Sequence, residues 1–426
     1  MKIRDWDSNL KVRLFGEAMM NITFWMFFPF LTIYFSEEFG KGKAGILLIF
    51  SQFFSVIANL MGGYCADRFG RKRMMVLSAI GQGLSFLIFG VSSSPWLESP
   101  WLGFLAYTMS GVFGSFYWPA SQAMVADVVD EKNRSHVFAI FYTSINIAVV
   151  VGPILGSIFY VHYRFQLLLV AGLICILLGF ILTKWTRETA PIQTEILETN
   201  GKWYYFLRNQ VKDYALIIQD KVFLMFIIAG VLAGQTFMQL DLLIPIFIKD
   251  VIKQSQSLFT FGTWSVNVKA EQVFGIVLSE NGLLVALLTV VVTKWMNKYS
   301  ERLSFVLSSI FYAISIIIFG QTHLVLGFII AMAIFTFGEL VSAGQQQSFI
   351  SRLAPQHLRG QYFAAGSLRF TISRTIAPLF IPMTVWIGYG WTFLVLSILA
   401  FGSAALYWVM FHSFYKQQKK QNEHAI

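Results

Sequence analysis

Residues 63–73 read Gly63-Tyr64-Cys65-Ala66-Asp67-Arg68-Phe69-Gly70-Arg71-Lys72-Arg73. Five of the seven residues from Asp67 to Arg73 are charged, yet apolar runs flank them at 45–66 and 74–91. A helix needs about 20 residues to cross a bilayer, and each run is close to that length. The charged hairpin is therefore expected at the cytoplasmic face, where Lys and Arg are retained. Gly63 and Gly70 are expected to give close backbone approach and a sharp turn. An ordinary basic loop accounts for the charge, but not for the ordered spacing G-x-x-x-D-R-x-G-R-K.

The rest of the chain has the same character. Of its 426 residues, 56% are hydrophobic, 17% aromatic and 13% charged, whereas a soluble domain carries roughly 25% charged residues. The net charge of +10 does not point to nucleic acid, because the basic residues sit in short connections between apolar runs. The polar start M-K-I-R-D-W-D runs into a full-length span without a small-residue cleavage site, so no cleavable signal is expected. Two cysteines, Cys65 and Cys175, imply no disulfide framework.

Twelve spans are expected, at about 12–35, 45–66, 74–92, 101–126, 137–160, 164–184, 222–248, 273–293, 303–320, 324–349, 362–384 and 391–411. Of the 32 lysines and arginines, 24 fall in one set of connections and six in the other. The remaining two, Arg369 and Arg374, are inside a span. This bias places both termini in the cytoplasm. The domain reading is an N-terminal bundle at 1–184, a cytoplasmic linker at 185–221, a C-terminal bundle at 222–412 and a cytoplasmic tail at 413–426. Residues 202–220 mix aromatics with Lys and Arg, as an interfacial amphipathic helix would. Residues 249–272 form the longest outer loop, either folded over the outer mouth or without fixed structure.

The loop motif resembles the signature between spans 2 and 3 of the major facilitator superfamily of secondary transporters. The resemblance implies an all-α membrane protein with twelve transmembrane helices in two pseudo-symmetric six-helix bundles, and a substrate site between them near the midplane. Internal echoes agree. Arg134, Phe138-Ala139 and Gly152-Pro153 recur as Arg359, Phe363-Ala364 and Ala377-Pro378, and the loop motif recurs, degraded, at 297–301.

Ionisable groups at bilayer depth are costly unless paired or facing water. Five are read within the spans: Glu17, Asp241, Glu339, Arg369 and Arg374. The resemblance places spans 1, 4, 7 and 10 around the central cavity, and the three acids fall on that set. Three acids against two arginines leave an excess carboxyl that can titrate, as proton coupling requires. Each also has a static reading. Glu17 can pair with Arg13 four residues earlier, and the two arginines can neutralise the acids. The acid pattern is similar to that of LmrP-type multidrug transporters. This implies that Asp241 and Glu339 serve proton coupling and cationic drugs, that Arg369 stands for a basic residue in span 11, and that Asp67 and Asp127 are the gating acids. The chain departs from that family around Phe141, which lacks its span-5 acid, and at Glu17 and Arg374, which have no counterpart there.

At the cytoplasmic mouth Gly63, Asp67, Arg68, Gly70, Arg71, Lys72, Asp127 and Arg134 are gating candidates. Gly152, Pro153 and Gly156 resemble the G-P-x-x-G antiporter motif and suit close helix packing. Cavity candidates are Asn21, Phe24, Trp25, Tyr117, Trp118, Gln122, Gln235, Gln239, Gln345 and Gln346. Aromatics with amides and a carboxylate suit a flat lipophilic cation. The expected function is proton-coupled export of lipophilic or cationic compounds by alternating access; the alternative is transport of a specific solute or lipid such as a sugar, peptide or glycolipid. Small-molecule substrate, protons and the bilayer are the expected partners of a monomer, with no nucleic acid, cofactor or metal. No H-E-x-x-H and no G-x-x-x-x-G-K-[ST] occurs, so neither a zinc hydrolase nor an ATP-driven pump is indicated.

Overall fold

The computed structural model describes residues 3–189, 220–261, 264–353 and 359–424. Among the described residues thirteen α-helices dominate: α1 Ser8–Phe27, α2 Leu31–Phe39, α3 Lys41–Phe69, α4 Arg71–Ser92, α5 Pro100–Val128, α6 Glu131–Trp185, α7 Lys221–Phe237, α8 Leu243–Val251, α9 Ala270–Met296, α10 Glu301–Gln321, α11 Val325–Leu353, α12 Arg359–Ile376 and α13 Phe380–His424. Ten segments are long and apolar enough to cross a membrane. The 29-residue α5 adds a crossing, and Gly388, at φ +79°, divides the last segment into two. Twelve crossings result. The final helix continues through the expected tail to His424.

Local chemistry sets the helix ends. Gly70, at φ +98°, turns α3 directly into α4, a backbone state that side chains resist. Ser99 accepts from Leu102 N and Pro100 opens α5, as N-caps and first-turn prolines do. Asp220 Oδ1 accepts from Val222 N and Phe223 N at 3.0 and 3.1 Å. Gly63 corrects the expectation from sequence: it lies within α3 with open space where a Cβ would stand, whereas its neighbour Gly62 meets Pro119 and the Ser115 carbonyl.

Three spans break in the middle. Short 3-10 turns at Phe28–Phe30, Met238–Leu240 and Ala377–Leu379 interrupt spans 1, 7 and 11. Proline explains each, since its ring clashes with the carbonyl four residues back and its missing N–H leaves that carbonyl unbonded. For Pro245 that carbonyl belongs to Asp241, and for Pro378 to Arg374. Asp241 therefore sits in the break of its span, and Arg374 lies in the last turn before the break of its own.

The chain forms two compact units. The first holds the described residues through Thr189 with Phe274–Ser279, and the second holds 220–273 with the described residues from Glu280 onward. In the first, α6 packs along α1 and α4, and α5 along α3 and α4. A methyl at Gly152 would strike Trp25, and one at Gly156 the Met26 carbonyl and Phe30. The Gly-Pro-Ile-Leu-Gly stretch is thus a contact of helix α6 on α1. In the second unit α10 packs on α11 and α13, and α7 on α12 and α13. Its core is aromatic: Phe226, Phe305, Phe349, Tyr407 and Phe411 are buried together. Leu287, Val290 and Val291 of α9 are exposed, as suits a surface that meets lipid.

The connection expected on the outer side contains two paired strands. Gln256–Phe261 pairs antiparallel with Trp264–Val268, with a bulge between Ser257 and Phe259. Gln256 Nε2 donates to His323 O at 2.9 Å, tying it to the α10–α11 connection. The helix expected over 202–220 lies outside the described residues except for Asp220.

Candidate functional site

The charged loop of unit 1 closes on itself. Arg71 reaches Asp67 Oδ1 at 2.8 Å and Asp127 Oδ2, at the end of α5, at 3.1 Å. Glu188 Oε1 accepts from the backbone N–H groups of Arg71 (2.8 Å) and Lys72 (3.3 Å). A carboxylate there satisfies free N–H groups and complements the helix dipole. Lys72 Nζ in turn donates to the carbonyls of Thr183 and Thr186 at the end of α6, both at 2.7 Å. Thr189 Oγ1 donates to Asp127 Oδ2 at 3.0 Å. Asn9 and Arg187 exchange two hydrogen bonds, and Arg187 pairs with Asp7. The gating candidates Asp67, Arg71 and Asp127 therefore meet, and Glu188 joins Arg71 to Lys72; Asn9, Arg187 and Glu188 were missed by sequence reasoning. Arg68 instead bonds Tyr64 on its own helix. The side chain of Arg134 lies outside the described residues.

Glu17 is buried and fully engaged. Its Oε1 accepts from Arg13 Nε (2.8 Å), Tyr117 OH (2.9 Å) and Ser121 Oγ (3.0 Å). Arg13 also stacks on Phe141, 4.7 Å from its centroid. The apolar residue that departs from the multidrug pattern is thus the platform for this arginine. Tyr117 belongs to the cluster, while Asn21, Phe24, Trp25 and Gln122 are half-buried and Trp118 is exposed.

The acids of unit 2 are arranged differently. Glu339 Oε2, on α11, accepts from Asn281 Nδ2 of α9 at 3.1 Å, and the same amide nitrogen donates to Thr336 Oγ1 at 3.0 Å. Asp241 lies at the span 7 break with its Oδ1 buried and unpartnered, near enough to Arg374 for their charges to interact. The buried Arg369 does not face these acids. It donates to Gln346 Oε1 and Gly366 O, both at 3.0 Å, and lies 4.5 Å from the Phe226 ring centroid. The static reading, in which the two arginines neutralise the acids, therefore does not describe Arg369, whose partners are an amide, a carbonyl, the Tyr407 hydroxyl and ring faces. Arg374 is largely exposed.

A sixth in-span charge went unread. Glu280, in the middle of α9, has its Oε2 buried without a partner. The signal was present, since S-E-N-G interrupts an otherwise apolar run. The amides are buried too. Gln239 Nε2 donates to Gln235 O (2.8 Å) and Ala377 O (3.4 Å), joining the breaks of spans 7 and 11. Gln345 reaches Met296 O. A cavity of 480 Å³ at the ends of α9, α10 and α11 includes Gln345, Glu301 and Arg352 but neither Asp241 nor Glu339. Among the described residues no group of three or more His, Cys, Asp and Glu could hold a metal ion.

The model of the Major Facilitator Superfamily matches residues 14–378, and again 267–425. The chain belongs to the Major Facilitator Superfamily. It is thus a membrane transporter by family, not an enzyme. A Na(+), Li(+), K(+)/H(+) antiporter of Planococcus maritimus is 56% identical over 423 residues, covering 98% of this chain and 99% of that one. The multidrug resistance protein MdtH of Escherichia coli (strain SE11) is 23% identical over 386 residues, covering 89% and 85%. Among solved structures, a POT family transporter in complex with 5-aminolevulinic acid superposes with TM-score 0.76 at 17% identity, covering 96% of this chain and 97% of that one. That likeness concerns the fold alone.

Proposed function

We propose that this chain exchanges alkali-metal cations for protons by alternating access. The observation that carries the reading is the 56% identity to a cation/proton antiporter over nearly the whole of both chains. The site chemistry supports it. Glu339 is held by a neutral amide, so its carboxylate can take either a proton or a cation. Asp241 has one unpartnered buried oxygen at a broken helix, the kind of place where transporters bind coupling ions. A proton moving down 100 mV supplies about 2.3 kcal/mol, enough to drive a cation against a modest gradient.

The test is proton release from everted vesicles carrying an imposed pH gradient, read with a pH-sensitive dye. Addition of NaCl, LiCl or KCl should dissipate the gradient, and choline chloride should not. Vesicles that respond to none of the three salts would overturn the reading.

A second reading, export of lipophilic or cationic compounds, has support in the MdtH relatives and in half-buried aromatics such as Phe24 and Trp25. Proton-driven dye efflux tests it separately. In either case the protein is proposed to act as a monomer in the cell membrane with both termini cytoplasmic. Accessibility of tags at the two ends checks the orientation.

A further inference from the structure

Asn281, Thr336 and Glu339 converge from two helices. Thr336 and Glu339 are three residues apart on α11 and so share a face. On α9, Val285 lies one turn beyond Asn281 and packs with Leu340 and Val341 of α11. That apolar contact fixes the face of α9 that carries Asn281. Asn281 is 8% exposed and Thr336 fully buried. The Asn281 amide nitrogen lies 3.0 Å from Thr336 Oγ1 and 3.1 Å from Glu339 Oε2. Thr336 spends its own hydrogen on Met332 O at 2.9 Å, so its oxygen faces the group only as an acceptor.

The Asn281 side chain has two ends of nearly equal size, one a donor and one an acceptor. Rotation by 180° about its last torsion puts the carbonyl oxygen where the NH₂ now stands. Three oxygens then surround one point: a carboxylate, a hydroxyl and an amide carbonyl. This is a hard-cation donor set. With the NH₂ turned inward, the same point is filled by N–H donors and Glu339 is left to hold a proton.

We propose that Glu339, Thr336 and Asn281 form a binding site for a monovalent alkali-metal cation, at which cation and Glu339 proton are alternatives. The proposal rests on the antiport reading above and names where the exchange takes place. Occupancy by a proton or by a monovalent ion leaves the same net charge on the site, whereas a divalent ion would leave an uncompensated positive charge in a buried place. Among the described residues the titratable neighbour of Glu339 is Tyr312 on α10. Among the described residues no lysine or arginine lies against the carboxylate to compete with the cation.

The vesicle assay, run over a range of NaCl, LiCl and KCl, tests the site. Thr336→Val keeps the shape and removes the oxygen. It should raise the Na⁺ concentration for half-maximal proton release about 10-fold or more. Thr336→Ser, which restores the oxygen, should return it to near the wild-type value. Asn281→Leu should act as Thr336→Val does. A second measurement needs no intact transport cycle. NaCl added to purified wild-type protein in weakly buffered detergent should release protons, and Glu339→Gln should abolish the release. If wild type exchanges cations but Thr336→Val and Asn281→Leu keep its concentration dependence, the site is overturned and the antiport reading stands. If wild type exchanges none of the three cations, both are overturned.

Discussion

Replacing Arg13 by methionine separates a structural role for Glu17 from a transport role. The side chains of the pair are 2% and 7% exposed. The substitution removes two of the four hydrogen bonds to the Glu17 carboxylate, those from Nε and Nη2, and leaves Tyr117 and Ser121 facing a buried unneutralised charge. Removing one member of a buried pair costs about 3–5 kcal/mol, whereas replacing both by apolar residues of similar volume is often neutral or better. Arg13→Met should therefore lower the unfolding free energy by about 3–5 kcal/mol, or two to three and a half decades in the folding equilibrium. The double variant Arg13→Met/Glu17→Met should recover most of that loss. SDS-titrated unfolding in mixed micelles gives the free energies, and the vesicle assay gives the exchange rate. A stable double variant that still exchanges cations would mark the pair as structural. A double variant as unstable as the single one would refute the energetic argument. A stable one with no exchange would return Glu17 to the transport machinery.

Glu339→Gln and Asp241→Asn should each abolish cation-driven proton release while leaving a monodisperse protein on size-exclusion chromatography. Wild-type release from either would count against that residue. Glu188→Ala removes the carboxylate from the first N–H groups of α4. It should cost about 1 kcal/mol and speed protease cleavage near Glu188, with unchanged cleavage rates as the contrary result. Gly156→Val forces a side chain into the Met26 carbonyl and Phe30, so the yield of folded protein should fall several-fold; normal yield would mean that α6 does not pack this closely on α1.

The twelve-span architecture was legible because apolar runs and a charged loop motif are strong local signals. Proline marked the breaks as well, through Pro29, Pro245 and Pro378. The pairing of Gln256–Phe261 with Trp264–Val268 was less legible: W-S-V-N-V alternates as strands do, but in S-L-F-T-F the bulge breaks the alternation. Partners distant along the chain were out of reach. Nothing local says that Glu188 caps a helix 117 residues away, or that Arg369 turns to an amide and ring faces instead of an acid. Glu280 was missed for another reason: its flanks are apolar enough that the run still reads as a span.

The two units divide the electrostatic labour unequally, despite the echo between them. Each breaks its first span in the same way, at Phe28–Phe30 and at Met238–Leu240. In unit 1 the acid of that span, Glu17, is matched in place by an arginine one turn away. In unit 2 no acid named here has such a bonded counterion: Asp241 and Glu280 each have a buried oxygen without a hydrogen bond, Arg374 acts on Asp241 only through its charge, and Glu339 is held by an amide. A charge with a permanent counterion has little reason to take up a proton or a cation. One held by neutral groups must acquire one of them whenever water is excluded, since an uncompensated carboxylate at bilayer depth costs several kcal/mol. In the proposed antiport that requirement makes exchange obligatory: Glu339 gives up its proton only as a cation takes its place.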